Sequence, residues 1–141
     1  AKYLNKISGP LLYRIDIHLE VVPVPFKKLS EQVAIEPSTA IRDRVISARE
    51  IQTQRFVKSE GVFCNAQMSS KMIRQHVDLD EASISLLKNA MEKLGLSARA
   101  YDRILKVSRT IADLEGNERV ESHHLSEAIQ YRSLDRENWG G

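Results

Sequence analysis

Arg99 is the residue whose position in the sequence most directly indicates a chemical role. Residues 98–114 place apolar side chains on one half of a helical wheel and polar ones on the other, between a natural N-cap, Ser97, and a stop, Gly116. Arg99 therefore lies in the first turn, where the helix dipole disfavours a cation by up to ~1 kcal/mol. Free backbone N–H groups beside a cation suit an anion such as a phosphate. Two interpretations stay open: a phosphate ligand, or an exposed arginine tolerated at small cost, which composition alone favours.

The other residues with reactive side chains form no recognisable catalytic or metal-binding pattern. The sequence has no G-x-x-x-x-G-K-[ST] phosphate loop and no H-E-x-x-H motif, and its six glycines are scattered. His123 and His124 are adjacent, so we expect their rings to point apart at a solvated helix start rather than to chelate one metal ion. His18, His76 and Cys64 have no evident partner. The residues predict no metal site and favour an interaction or regulatory module without a complete active site.

Length and composition indicate one ordinary domain from a reducing compartment. The 141 residues are 42% hydrophobic and 28% charged, which is sufficient for a core. Twenty-one basic and nineteen acidic residues give a net charge of +2, too small to indicate nucleic-acid binding by itself. The single cysteine cannot form an internal disulfide, and no apolar run approaches the roughly 20 residues that span a bilayer. We therefore expect a cytoplasmic location and no membrane partner.

Residues 1–22 differ in pattern from the rest of the chain. The dipeptide Gly9-Pro10 breaks a short helix or turn. Residues 15–21 alternate apolar and polar side chains, which predicts a half-buried strand with His18 on its polar face. Because one strand is not stable alone, this strand either lacks its sheet partners or is unpaired. Residues 22–25 contain two prolines and predict an extended connector.

After the connector the whole chain has helical spacing. We expect a short turn at residues 26–30, then a long helix from 39 to about 57 that is capped by Ser38. Its inward side chains are predicted to be Ile41, Val45, Ala48 and Ile51. Further helices are predicted from Ser69 or Asn65 to about 77, at 80–94 and 98–114, and from 122 onward. The predicted fold is mainly α: a bundle of four or five helices over residues 35–141, behind the helix–strand remnant.

Four separated segments are specific enough to indicate a family. They are residues 6–16 (KISGPLLYRID), 65–69 (NAQMS), 95–104 (GLSARAYDRI) and 128–136 (AIQYRSLDR). In this order they closely resemble the C-terminal part of the magnesium-chelatase-like AAA+ ATPases of the ComM/YifB type, over nearly the whole chain. The resemblance implies that residues 1–25 end an α/β nucleotide-binding core, with its last helix and strand. Residues 26–141 would be its C-terminal helical lid domain.

The resemblance also implies which parts of an ATPase this chain carries. The phosphate-binding loop, the acidic Mg²⁺ ligands and an N-terminal protease-like domain would lie upstream. The full-length protein would then bind ATP and Mg²⁺, whereas this chain alone would bind neither and would not hydrolyse ATP. Subunits of such ATPases assemble into rings, so the implied partners are further copies of the same subunit, with a hexamer expected.

Specific arginines acquire roles through the resemblance. In such ring ATPases the arginine after the Gly-Pro-Leu-Leu turn reaches the γ-phosphate bound by the neighbouring subunit, which makes Arg14 the candidate arginine finger. The arginine that opens the lid helix is the usual sensor-2 residue, which makes Arg99 the candidate sensor and Arg103 a weaker nucleotide contact. Tyr13 departs from the family pattern, because an acidic residue usually stands there. That departure would weaken the local ion pairing that aims Arg14.

The resemblance leaves the substrate of the parent protein open. DNA remodelling is the activity we expect, since competence-type relatives act on DNA. The alternative is a stand-alone helical DNA-binding module in which five basic residues neutralise phosphates: Arg42, Arg49, Arg103, Lys106 and Arg109. Acidic residues interleaved on the same faces argue against this alternative. A simple oligomerisation domain is the third interpretation.

Overall fold

The computed structural model describes residues 6–132 of the chain. Within them lie seven α-helices and no β-strand. The helices are α1 (Gly9–Arg14), α2 (Phe26–Ser30), α3 (Ser38–Arg55), α4 (Ser70–His76), α5 (Glu81–Leu94), α6 (Ala98–Glu115) and α7 (Ser122–Gln130). A short 3₁₀ turn, Asn65–Gln67, precedes α4. The mainly α fold predicted from the sequence is confirmed.

Helix α6 is the element around which the others pack. It contacts α3, α4, α7 and the 3₁₀ turn, while α5 packs against α7. The Oγ of Ser97 accepts a hydrogen bond from the Ala100 N–H, and Gly116 ends the helix in the left-handed region at φ 77°. Both terminal signals predicted for this helix are therefore confirmed. A side chain at Gly116 would be strained because L-residues rarely adopt a positive φ.

The hydrophobic core lies between α6 and the helices that surround it. Ile104 and Leu105 are its buried residues in the middle of α6, and Ala112 follows two turns later. The remaining buried members come from α4, α5, α7 and the connections: Phe56, Met68, Ile73, Val77, Leu87, Val120, Leu125 and Ala128. None of these buried members lies before residue 56, so the core cluster is built from residues 56–128.

The face of α3 that was predicted to point inward is mostly exposed. Ala48 is buried, but Ile41 is 46% exposed, Val45 47% and Ile51 37%. The prediction is wrong for these three residues because α3 packs on one side against α6, and nothing within residues 6–132 covers the rest of its apolar stripe. The helix also begins at Ser38 itself, with Pro37 at the N-cap position and no side-chain cap.

The predicted strand does not form within the described residues. Residues 15–21 are irregular, and their alternate apolar side chains are exposed: Ile15, Ile17, Leu19 and Val21. No neighbouring strand offers a hydrogen-bonding edge here, and an isolated strand gains too little to form. The segment instead attaches to the end of α7, where the His18 N–H donates to the Tyr131 carbonyl at 2.7 Å. The predicted break at Gly9-Pro10 is the start of α1, where proline is well tolerated.

Hydropathy along the helices bears on the membrane prediction. In the part of the chain that the structure describes, no helix has both the length and the apolar character needed to cross a membrane.

Candidate functional site

Arg99 stands at the open N-terminal end of α6. Ala98 is the first helical residue, and the Ser97 side chain satisfies the Ala100 N–H at 3.3 Å. The first N–H groups of a helix have no acceptor within it, and the helix dipole makes this end positive. The Arg99 side chain is exposed and forms no ion pair or hydrogen bond with another described residue. A cation and unpaired donors at one helix end are suited to binding an anion.

Arg14 is the last residue of α1 and is also exposed. The helix before it is closed at both ends. The Ser8 Oγ accepts from the Leu11 N–H at 3.3 Å, and the Ile15 N–H donates to the Leu12 carbonyl at 3.2 Å. Within residues 6–132 the guanidinium of Arg14 has no hydrogen-bond or ion-pair partner. The capped helix therefore presents this side chain at the surface, where it is available to an external anion.

Arg103 has a different environment from these two arginines. It lies one turn after Arg99 on α6, and its Nη1 donates to Oδ1 of Asp16 in an ion pair. Asp16 is two residues beyond Arg14. The structure thus leaves Arg14 and Arg99 without partners in the described part of the chain, and it joins the third predicted arginine to the segment that follows α1.

Buried contacts from the end of α7 hold the same segment. Arg132 is 1% exposed, and its Nη1 donates to the Ile15 carbonyl while its Nη2 donates to the Tyr13 carbonyl at 3.4 Å. The Nε2 of His18 lies 3.1 Å from the Leu12 carbonyl, and this ring is buried rather than exposed on a polar face as predicted. No local sequence pattern predicts the contacts of Arg132, because its partners Tyr13 and Ile15 are more than 110 positions away.

A buried ionic cluster around Asp113 fixes the opposite end of α6. The carboxylate of Asp113 is fully buried and accepts hydrogen bonds from Arg55 at 2.6 and 2.7 Å, from Asn65 at 2.8 Å and from Arg109 at 3.1 Å. Arg109 also donates to the carbonyls of two loop residues, Asn117 and Glu118. Burial lowers the pKa of Arg109, and the neighbouring Asp113 charge partly opposes that shift. The guanidinium groups of Arg55 and Arg109 are therefore both paired with Asp113 within the fold.

The ionic cluster changes the list of basic residues available to DNA. Arg109 is buried and cannot contact a phosphate, so its inclusion in the DNA-binding alternative is wrong. Lys106 donates to the Ala66 carbonyl at 3.0 Å, and Arg103 is paired with Asp16. The side chains of Arg42 and Arg49 on α3 remain exposed and have no hydrogen-bond or ion-pair partner within residues 6–132.

The two adjacent histidines converge instead of pointing apart. Nε2 of His123 lies 2.9 Å from Oε2 of Glu115, and Nε2 of His124 bonds to the same oxygen, with ring centroids 3.9 Å apart. The expectation that the rings diverge at a solvated helix start is therefore wrong, and His124 is fully buried. The bond from His123 lowers the pKa of Glu115, and the same bond raises the pKa of His123.

The tautomer of His124 bears on whether this cluster could hold a metal ion. The side chains of Glu115, His123 and His124 each offer one possible metal-ligand atom, and these atoms lie within 4.8 Å of one another. However, Nδ1 of His124 accepts the Glu121 N–H at 2.9 Å, which places the ring proton on Nε2, facing Glu115. A metal-bound histidine normally donates its other N–H to an acceptor, and here the other nitrogen is itself an acceptor. The arrangement favours a hydrogen-bonded cap of α7 over a metal site.

Two surface depressions are lined by residues other than Arg14 and Arg99. A groove of about 750 Å³ runs between α3, α6, α7 and the segment after α1, with an apolar lining that includes Ile17, Ile41, Val45 and Ile111. A second cavity of about 580 Å³ lies beside Arg55 and His76. Burial is the main cause that lowers the pKa of His76, and the Arg55 charge adds to it. Neither depression is lined by Arg14 or Arg99.

Comparison with known proteins assigns the chain to a family. Residues 35–132 match the family described as magnesium chelatase, subunit ChlI C-terminal. The chain belongs to this family. It is 43% identical to competence protein ComM of Haemophilus influenzae and 41% identical to the uncharacterized protein YifB of Escherichia coli, each over 136 residues. An uncharacterized protein of Mycobacterium bovis, Mb2921c, is 31% identical over 131 residues.

The matches define how much of a magnesium-chelatase-type protein is present. They cover 96% of this chain for the first two relatives but 26% of each relative's length, so the chain spans about a quarter of the proteins it matches. Arg99 and Arg103 lie within the range matched by the family, residues 35–132, whereas Arg14 precedes it. The predicted resemblance to the C-terminal part of ComM/YifB-type proteins is confirmed.

Proposed function

We propose that this chain is the C-terminal segment of an AAA+ ATPase, with Arg14 as an arginine finger and Arg99 as a sensor-2 arginine. The observation that supports this most is the pair of exposed guanidinium groups, each without a partner in the described part of the chain. Both are held by capped helices, at the end of α1 and at the start of α6. Most other arginines near the core are already paired within the fold, as Arg55, Arg103 and Arg109 are.

The proposed role of Arg14 and Arg99 is to stabilise negative charge. During phosphoryl transfer, negative charge develops on the oxygens of the γ-phosphate, and a guanidinium placed there accelerates the reaction by roughly 10³–10⁵. Arg14 would supply that charge to the nucleotide of a neighbouring subunit. Arg99 would bind the same phosphate with help from the positive end of α6, which adds about half an elementary charge. Movement of α6 would then report whether ATP or ADP is bound.

The proposal requires parts that lie outside this chain. ATP and Mg²⁺ would be bound by a phosphate loop and acidic residues of the longer protein, because the sequence contains no phosphate-loop motif. The ring would consist of copies of the same subunit, expected as a hexamer in the cytoplasm. DNA is the proposed substrate, and the support from this chain is limited to Arg42 and Arg49, which remain exposed on α3.

Steady-state ATP turnover of the full-length protein tests the proposal. Arg14→Ala should leave the KM for ATP nearly unchanged and lower kcat by about 10³-fold, because a finger acts mainly on the transition state. Arg99→Ala should lower kcat and also weaken nucleotide binding, since this residue touches the ground-state phosphate as well. Arg42→Ala, assayed in the absence of DNA, removes another exposed arginine whose side chain has no partner within residues 6–132, and it is the matched control. Wild-type turnover in both test variants would refute the proposal.

One observation favours the alternative of an oligomerisation module. Between residues 17 and 35, nine apolar side chains are exposed: Ile17, Leu19, Val21, Val22, Val24, Phe26, Leu29, Val33 and Ile35. A run of exposed apolar side chains is typical of a segment that another protein surface covers. Sedimentation equilibrium of the 141-residue chain distinguishes the two candidates. Stable association of the chain by itself would favour the module, whereas a monomer would favour a surface covered by the rest of the longer protein.

A further inference from the structure

We propose that Asp16 and Arg103 form a latch that positions the candidate finger Arg14, so that Arg103 is a positioning residue and not a nucleotide contact. This inference rests on the proposed function, since it concerns how the finger is aimed. It assigns Asp16 a role that the sequence pattern did not indicate, and it replaces the nucleotide-binding role expected for Arg103.

The first support is the short path from the latch to the finger. Asp16 is two residues from Arg14, and two extended residues span at most about 7 Å. Only Ile15, the C-cap of α1, lies between them. Fixing the Asp16 carboxylate on α6 therefore restricts where the Arg14 backbone can lie, although the Arg14 guanidinium has no hydrogen-bond or ion-pair partner within residues 6–132.

The second support is the position of the other end of the latch. Arg103 follows Arg99 by four residues, so both side chains lie on one face of α6, one turn apart. The helix that presents the candidate sensor is thus also the helix that holds the segment after α1. If Arg99 draws α6 toward a phosphate, the ion pair transmits that displacement to the backbone beside Arg14.

The third support is that the Asp16–Arg103 ion pair should contribute little to the stability of the fold. The Asp16 side chain is 51% exposed and that of Arg103 is 29% exposed, and exposed pairs contribute little to stability. Buried contacts already attach the same segment, since Arg132 bonds to the Ile15 carbonyl and the His18 N–H bonds to Tyr131. Loss of the latch should therefore change the aim of the finger without unfolding the segment.

Paired substitutions in the full-length protein test the latch by kinetics. Asp16→Asn and Arg103→Gln should each lower kcat for ATP hydrolysis by about tenfold with an unchanged KM, since small misplacements of a catalytic group cost rate rather than affinity. The double variant should be no worse than either single one, because both remove the same contact. The charge-reversed pair, Asp16→Arg with Arg103→Asp, should recover most of the lost rate.

One control variant and two possible outcomes for kcat and KM decide whether the latch is correct. Asp78→Asn breaks another exposed ion pair, that of Asp78 with Arg119 between the α4–α5 and α6–α7 connections, and it should leave kcat unchanged. If Arg103→Gln raises KM while Asp16→Asn leaves both constants unchanged, Arg103 is a nucleotide contact and the latch is wrong. If the latch variants are fully active while Arg14→Ala is inactive, the latch fails and the proposed finger stands.

A distance measurement tests the latch independently of activity. Nitroxide labels are placed on the full-length protein through Leu11→Cys and Tyr101→Cys, two exposed positions on α1 and α6, with Cys64→Ser and other native cysteines replaced. Pulsed electron resonance should give a narrow distance distribution that broadens in Asp16→Asn and in Arg103→Gln and narrows again in the charge-reversed pair. An unchanged distribution in the single variants would overturn the latch, even if Arg14 proves not to be a finger.

Discussion

Arg55 of α3 donates two hydrogen bonds to Asp113 of α6, at 2.6 and 2.7 Å. This contact holds α3 against α6, the central helix of the bundle. The arrangement matters because α3 otherwise buries little apolar surface. Asp113 also accepts from Arg109, so one buried carboxylate balances two guanidinium groups. Removal of the carboxylate would leave these groups uncompensated.

We expect Asp113→Asn to destabilise the chain strongly. Breaking a buried ion pair by removing one partner costs about 3–5 kcal/mol, because the remaining charge stays buried without compensation. The free energy of unfolding from urea titration measures the effect. Asp43→Asn, which changes an exposed acid on α3, should stay within about 0.5 kcal/mol of wild type. A loss below about 1 kcal/mol for Asp113→Asn would contradict the role assigned to the cluster.

The pair Glu115 and His123 should make stability depend on pH in a defined window. Because the bond to Glu115 raises the pKa of His123, its contribution is complete below the ordinary value of 6.5 and is lost as pH rises through the raised value. Because the bonds from His123 and His124 lower the pKa of Glu115, its contribution is complete above 4.5 and is lost as pH falls through the lowered value. Both contributions are complete between these two ordinary values.

Thermal unfolding across pH measures this dependence. The difference in Tm between wild type and His123→Gln should be largest between pH 4.5 and 6.5 and should shrink above that range. His76 provides a contrast, because burial lowers its pKa, so that its contribution is present above 6.5 and lost as pH falls. A Tm difference for His123→Gln that grows toward pH 9 would contradict the assignment of the ion pair.

Gly116 is required by backbone conformation and not by space. Its φ is 77°, and a Cβ at this position would meet no atom within 4 Å. Gly116→Ala should therefore cost about 1 kcal/mol of unfolding free energy from left-handed strain alone. Gly9→Ala is the matched control, because Gly9 has no positive φ and its Cβ would lie 3.9 Å from the Tyr13 ring, an ordinary contact. Equal costs for the two substitutions in urea titration would refute this explanation.

The 141-residue chain by itself should not hydrolyse ATP. It has a candidate finger and a candidate sensor but no phosphate-loop motif to hold the nucleotide. Release of inorganic phosphate by the purified chain should equal that of buffer and should not change in Arg14→Ala. Turnover above that background, abolished by a substitution in this chain, would mean that a complete active site lies within it.

Local patterns were sufficient to predict α6 but not its surroundings. Ser97 and Gly116 mark the ends of this helix through short-range hydrogen bonds and backbone strain, which sequence spacing records directly. Periodicity also showed that Ile41 and Val45 share a face of α3, but it cannot show whether another element covers that face. A helix face is buried only when another element packs against it, and which element does so depends on the tertiary structure, not on local spacing.

The candidate site illustrates the same limit. The position of Arg99 at a helix start followed from spacing, whereas the role of Arg14 came from resemblance alone. The pairing of Arg103 with Asp16 joins residues 87 positions apart, and no local signal predicts it. The convergence of His123 and His124 was missed because helix geometry separates adjacent side chains, while Glu115 lies where both rings can reach it.

Mixing two inactive variants of the full-length protein tests most directly the claim that Arg14 completes the active site of a neighbouring subunit. One variant carries Arg14→Ala, and the other carries a substitution in the phosphate loop and retains Arg14. In a mixed ring, some interfaces combine an intact phosphate loop with an intact Arg14, so ATP turnover should rise well above the sum of the separate variants. Turnover that stays at that sum while the variants demonstrably co-assemble would contradict the claim.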